Sequence, residues 1–252
     1  GLLSVGVDEL MAAQNAVYLK SAAGGSGFGA GMPFQPVAGT PTLPIQPIDA
    51  VRNGAAADVR VVTGTTTDEW KLFGALLRAA QEPLDQDGLK ARTTAAVGDR
   101  GAELVDAYAA NRPGQSPDDL WSAIVTDFVF RIPAIRLVEA QLNHRDDVYL
   151  YEFGHRSTAF GGVLGACHAI EIPFVFDNVH RRGVDGLVGE IGDAERALAS
   201  ETNTAWIATA SGDEPWNRYE LTSRATRRFG GDTPGMLDDP NGAERVLWDG
   251  LR

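Results

Sequence analysis

Residues 147–153, DVYLYEF, stay apolar or aromatic from Val148 to Tyr151, without the alternation of a strand wetted on one side. A run of this kind belongs to a strand covered on both faces, as in a parallel sheet sandwiched between helices. A second segment, 58–64 (DVRVVTG), is also short and ends in Gly64. Parallel strands cannot be joined by a hairpin and need a crossover. The eighty or so residues between the two segments are dominated by helix signals. The pair therefore points to an α/β protein with a mostly parallel sheet flanked by helices. Two strands do not make a sheet, and no other segment is as clear. The expectation is an incomplete sheet, completed by something outside this chain.

The rest of the chain is punctuated more than it is patterned. A helix is expected over 7–19, capped by Asp8, with Leu10, Ala13, Val17 and Leu19 near one face. Residues 21–47 hold too much Gly and Pro for regular structure, and a loop of that length is uncommon inside a compact domain. Trp70, Phe73, Leu76, Leu77 and Ala80 give 68–81 a helical stripe. One or two short helices fall in 85–111, followed by the turn Asn111-Arg112-Pro113-Gly114. Ser116-Pro117-Asp118-Asp119 opens a new helix, and 118–143 is helical in composition with a kink or break expected at Pro133. Residues 154–165 form a Gly-, Ser- and Thr-rich loop. A helix over 193–210 is expected to bend or break near Ser200–Thr204. Short edge strands are expected within 215–249.

Charge and cysteine usage exclude several functions. Against 22 Lys and Arg stand 34 Asp and Glu, a formal charge of −12. Nucleic-acid domains show basic surfaces, so a nucleic-acid partner is not expected, and anionic membranes repel such a surface. No apolar run reaches the ~20 residues that a membrane helix needs. Apolar residues make up 44% of the chain, enough to bury a sizeable core. The single cysteine, Cys167, rules out an internal disulfide framework and a multi-cysteine metal site. Gly1 begins the chain with no signal pattern, so the compartment stays open.

Two segments could carry chemistry. In Val61-Val62-Thr63-Gly64-Thr65-Thr66-Thr67-Asp68-Glu69-Trp70, a carboxylate lies just past the carboxyl end of a strand, where sites form in open α/β sheets. Thr66 and Glu69 also fit a capping box, which would explain Glu69 without any chemistry. In Gly165-Ala166-Cys167-His168-Ala169-Ile170-Glu171, a loop of small residues presents an imidazole. An unperturbed imidazole, with a pKa of ~6.5, can accept and return protons near neutrality, which suits a general base. A buried histidine bonded to backbone is the competing reading. His144 reads as solvated among Arg145, Asp146 and Asp147. A zinc site from His155, His168 and His180 matches no ligand spacing. Cys167 reads as a small buried hydrophobe. Gly24-Gly25-Ser26-Gly27 is neither a phosphate loop nor a dinucleotide fingerprint, and no G-x-S-x-G occurs anywhere.

Several segments then fall into a familiar order. They are Val37-Ala38-Gly39-Thr40-Pro41-Thr42-Leu43-Pro44, Gly64-Thr65-Thr66-Thr67-Asp68-Glu69, Thr126-Asp127 through Arg131-Ile132-Pro133, Tyr149-Leu150-Tyr151-Glu152-Phe153, Gly165 to Phe176, and Trp206 with Ser211-Gly212-Asp213. In that order and spacing they resemble the C-terminal half of a type-B carboxylesterase, the α/β-hydrolase family that includes the cholinesterases and bacterial para-nitrobenzyl esterases. The second segment resembles the family's G-x-N-x-D-E, and the fifth its G-x-x-H-x-x-E-L-P-F-V-F. Thr66 stands where the family usually has Asn, and Trp70 where many members have Gly.

The resemblance implies that residues 1–252 are the C-terminal portion of one α/β-hydrolase domain. It makes Glu69 the acid and His168 the base of a Ser…Glu…His triad, in the chain order that fold requires. It implies a serine carboxylesterase acting on small ester substrates, with no metal and no cofactor. The serine and the oxyanion hole would come from the N-terminal half of the same enzyme, so the chain alone would be inactive. Glu171 could support the histidine or serve structure. Trp121, Phe128 and Phe130 could line the gorge or pack the core. A cholinesterase-like binding protein without catalysis, or a purely structural α/β domain, remains the alternative.

Overall fold

The computed structural model describes residues 1–24, 34–78 and 82–251. Its centre is a four-stranded sheet of β1 (Val61–Thr66), β2 (Val148–Phe153), β3 (Ala225–Phe229) and β4 (Gly235–Asp238), in that spatial order. The first three strands run parallel and β4 is antiparallel to β3. The crossover between β1 and β2 carries α3 (Trp70–Arg78), α4 (Gln86–Val97), α5 (Gly101–Asn111), α6 (Pro117–Thr126) and α7 (Ile132–Gln141). Before β1 come α1 (Val7–Gly24) and α2 (Pro47–Arg52). After β2 come α8 (Ile172–Val175), α9 (Asp185–Val188) and α10 (Asp193–Ser211), and α11 (Gly242–Arg245) follows β4. This mostly parallel sheet flanked by helices is the α/β arrangement expected from the sequence.

Strand alternation divides the core into two layers. Val148 and Leu150 face a cluster with Leu104, Tyr108, Ile124, Ile132, Val138 and Trp248. Tyr151 and Phe153 face the other layer, with Ile170, Phe174, Phe229 and Trp206. The uninterrupted apolar run in β2 is explained by burial on both sides. Gly64 is the strand glycine that this packing needs, because a Cβ there would lie 2.3 Å from the Tyr151 carbonyl oxygen and 2.4 Å from its ring. Gly64→Ala should therefore destabilise the protein by about 1–3 kcal/mol, the usual range for overpacking. Thermal unfolding checks this, and an unchanged midpoint would refute it.

Several expectations are corrected. The tail supplies strands, but β3 is not at an edge: it lies inside the sheet, between β2 and β4. Its arginine-rich sequence, Ala225-Thr226-Arg227-Arg228-Phe229, hides this. Arg228 is tolerated there because it pairs with the buried Glu152 on β2 at 2.7 Å. The interruption expected near Ser200–Thr204 is absent, and α10 is continuous. Thr202 and Thr204 donate their hydroxyls to the carbonyls of Leu198 (2.8 Å) and Ser200 (2.7 Å), so both hydroxyls are satisfied within the helix. The helix expected over 7–19 forms and runs on to Gly24, yet over 7–20 it is almost wholly exposed, Val17 and Leu19 included. The expected loop over 21–47 falls partly outside the described residues, as does the end of the helix expected over 68–81.

Pro133 does not break its helix. A π-helical turn, Asp127–Arg131, lies just before it, and α6, this turn and α7 follow one another without a gap. A wider turn there accommodates the proline's missing N–H and its ring. The turn is held by an ion pair across itself. Nε and Nη2 of Arg131 each donate to a carboxylate oxygen of Asp127 at 2.6 Å. The Tyr108 hydroxyl donates to the same carboxylate and accepts from the Trp248 indole N–H at 2.8 Å.

Candidate active site

Because β1 and β2 are parallel and in register, with Thr66 opposite Phe153, their carboxyl ends deliver the two candidate segments to one place. Asp68 fastens them. Its N–H donates to the Ala166 carbonyl at 2.9 Å, and its carboxylate accepts from the Ala166 N–H at 3.0 Å. Gly165 passes so close, at φ +57°, that a Cβ would lie 2.6 Å from that carboxylate. Sequence reading missed Asp68. A second acid beside Glu69 was the available signal, but its partner is 98 residues away.

Glu69 is 5% exposed, and its two oxygens have separate tasks. Oε1 accepts from the Thr66 N–H at 2.8 Å. Oε2 lies 2.6 Å from Nδ1 of His168. Half of the expected capping box is thus present; the Thr66 hydroxyl, however, has no partner. Capping and pairing with the histidine turn out to be compatible. A carboxylate only accepts, so the shared proton sits on Nδ1 and leaves Nε2 of the neutral ring as an acceptor. The His168 side chain is 43% exposed, so the ring is not sealed in the core. Ala169, directly after it, has φ +67°, a strained value for a residue with a Cβ.

Glu171 sits close by. Burial, reinforced by the charge of Glu69, pushes its carboxyl up from the ordinary range, and its Oε2 is buried without a partner. It lines an apolar groove of about 450 Å³ with Tyr151, Ile172, Phe176, Trp206 and Ile207. Cys167 is fully buried in the layer around Phe174, and burial pushes its thiol up to about 11. It stays protonated and is no nucleophile. The remaining histidines stand apart from the Glu69 pair. Nε2 of His144 donates to the Arg52 carbonyl (3.0 Å), His155 packs on Phe174 with its proton affinity lowered by burial, and His180 is exposed. Among the described residues, no group of three or more His, Cys, Asp or Glu side chains is placed to hold a metal ion. Trp121 and Phe128 pack on the core. Phe130 instead contacts the His168 ring.

A buried carboxylate bonded to a half-open imidazole at the carboxyl end of a parallel sheet is an arrangement that can move a proton. The sequence matches the carboxylesterase family over residues 4–231, and the chain belongs to that family. It is 32% identical over 203 residues to the para-nitrobenzyl esterase of Bacillus subtilis, an alignment covering 77% of this chain and 38% of that protein. It is 28% identical over 183 residues to the phenmedipham hydrolase of Pseudarthrobacter oxydans, covering 72% and 36%. A solved carboxylesterase of Geobacillus stearothermophilus superposes with a TM-score of 0.76 at 29% identity, covering 98% of this chain and 49% of that one. The chain thus spans less than half the length of these relatives.

Proposed function

We propose that this chain supplies the acid and the base of a serine carboxylesterase, as the C-terminal portion of a single α/β-hydrolase domain. The observation that carries the reading is the 2.6 Å contact between the buried Glu69 carboxylate and Nδ1 of His168, with the ring left half-exposed. In this reading the upstream half of the enzyme brings a serine to Nε2. His168 takes the serine proton as the hydroxyl attacks the ester carbonyl, then returns it to the leaving alcohol. Glu69 holds the tautomer and stabilises the imidazolium that forms. Backbone N–H groups of the upstream half hold the oxyanion, each contributing ~3–4 kcal/mol. Water repeats the sequence on the acyl-enzyme.

The surface supports a missing half. Strand β1 has a neighbour on one side only among the described residues. Phe176 and Ile207 are exposed beside the apolar groove, where an upstream half could cover them. The acidic balance suits neutral esters over anionic ones.

The purified 252-residue chain should hydrolyse p-nitrophenyl acetate no faster than an equal concentration of free imidazole, since its sequence holds no G-x-S-x-G elbow. An ordinary esterase rate would mean that a nucleophile lies within this chain. Reading the upstream coding sequence tests the other half of the proposal: a frame without G-x-S-x-G would end it.

A further inference from the structure

We infer that Phe73 and Phe130 form an aromatic seat that sets the orientation of the His168 ring, which makes both of them positioning residues. The inference rests on the Glu69–His168 reading and adds what that pair cannot do alone. A hydrogen bond at Nδ1 fixes one atom of the imidazole. The ring can still swing about its side-chain torsions on its exposed side, carrying Nε2 away from any group it must meet.

The structure supplies a second constraint. The His168 centroid lies 5.3 Å from that of Phe73 and 5.3 Å from that of Phe130. The two phenyl rings are nearly parallel, 13° apart, with centroids 6.3 Å from each other. The imidazole is tilted 41° to one and 43° to the other, so it sits in the notch they form. These are ordinary attractive aromatic geometries.

Neither phenylalanine belongs to either core cluster, although their neighbours Trp70, Phe128 and Val129 do pack on the core. Phe73 touches Trp70 at 5.2 Å, and its other ring contacts are Phe130 and His168. General core packing therefore does not account for the pair. Each is delivered by an element already tied to the site. Phe73 is one helical turn after Glu69, on the same face. Phe130 belongs to the π-helical turn, whose ends Asp127 and Arg131 are buried and paired. The Trp70 N–H donates to the Thr126 hydroxyl at 3.1 Å, joining the start of α3 to the end of α6. The seat is thus assembled from two helices bonded to each other.

The test uses the product of the complete reading frame labelled with [13Cε1]histidine. The chain has four histidines, and His168→Asn assigns the resonance. In the unmodified protein, Hε1 or Hδ2 of His168 should show nuclear Overhauser contacts to both phenyl rings, and the Nδ1 proton should exchange slowly with water. Phe73→Ala and Phe130→Ala should each speed that exchange by about tenfold or more. Each should lower kcat by about tenfold or more with KM within about twofold, as expected of a misplaced base. Phe130→Tyr, which keeps the ring, should restore both. If an alanine variant fails to fold, Phe73→Leu and Phe130→Leu carry the same test, because they keep apolar bulk without a π face. No Overhauser contact to either phenyl ring, or exchange and kcat unchanged in both folded variants, would overturn the seat while leaving the Glu69–His168 pair standing. Loss of the Nδ1 proton signal in the unmodified protein would overturn both.

Discussion

His168→Ala in the complete enzyme should lower kcat by on the order of 10⁴ to 10⁶-fold, with KM little changed. The serine would lose its only proton acceptor, while the binding surface stays. The side chain is half-exposed, so its removal should barely move the unfolding midpoint. Glu69→Ala should cost less activity, because the imidazole remains and only its orientation and charge partner are lost. That variant should also unfold somewhat more easily, since the buried Thr66 N–H loses its acceptor, a cost of ~1–3 kcal/mol. Glu69→Gln separates the two effects: its amide oxygen can still accept from Thr66 but carries no charge to offer His168. Steady-state kinetics on p-nitrophenyl esters, with unfolding curves beside them, check these orders. Near-normal turnover in the His168 variant would remove that residue from the mechanism.

The largest stability effect should come from a residue that takes no part in the chemistry. Asp127→Ala leaves the Arg131 guanidinium, 6% exposed as a residue, without its carboxylate. The same change removes the acceptor of the Tyr108 hydroxyl. Breaking one partner out of a buried pair typically costs ~3–5 kcal/mol, enough to unfold many domains. The double replacement Asp127→Leu with Arg131→Met should recover much of the loss, because it leaves no buried charge unpaired. Urea unfolding of the three proteins makes the comparison. A single variant as stable as the parent would show that this pair does not hold the π-helical turn.

Much of this could be read before any fold was known. The β2 strand was visible because both of its faces are buried, so its sequence is apolar throughout. Glu69 and His168 were visible through the segments around them, though for each a bland role competed. A cap and a triad acid look alike over four residues, and the fold makes the two roles compatible by giving each oxygen its own partner. The missed features share a cause. Strand β3 read as an edge strand because Arg228 meets Glu152 only across strands. The threonines of α10 and Pro133 looked like interruptions because their compensating bonds and the widened turn are conformational details. Asp68 and the two phenylalanines around His168 act across distances in sequence that no local pattern records.

Residue order alone therefore pointed to the α/β class through period and apolar pattern, and to the family and two side chains worth watching through the resemblance of its motifs. What it could not settle was proximity. Whether an acid at position 69 reaches an imidazole at 168 depends on two parallel strands in register, with Thr66 beside Phe153. The tilt of that imidazole depends on rings brought in by α3 and by the turn before α7. Register and long-range packing are collective outcomes of how the whole crossover buries its apolar faces, so they appear only when the chain is folded.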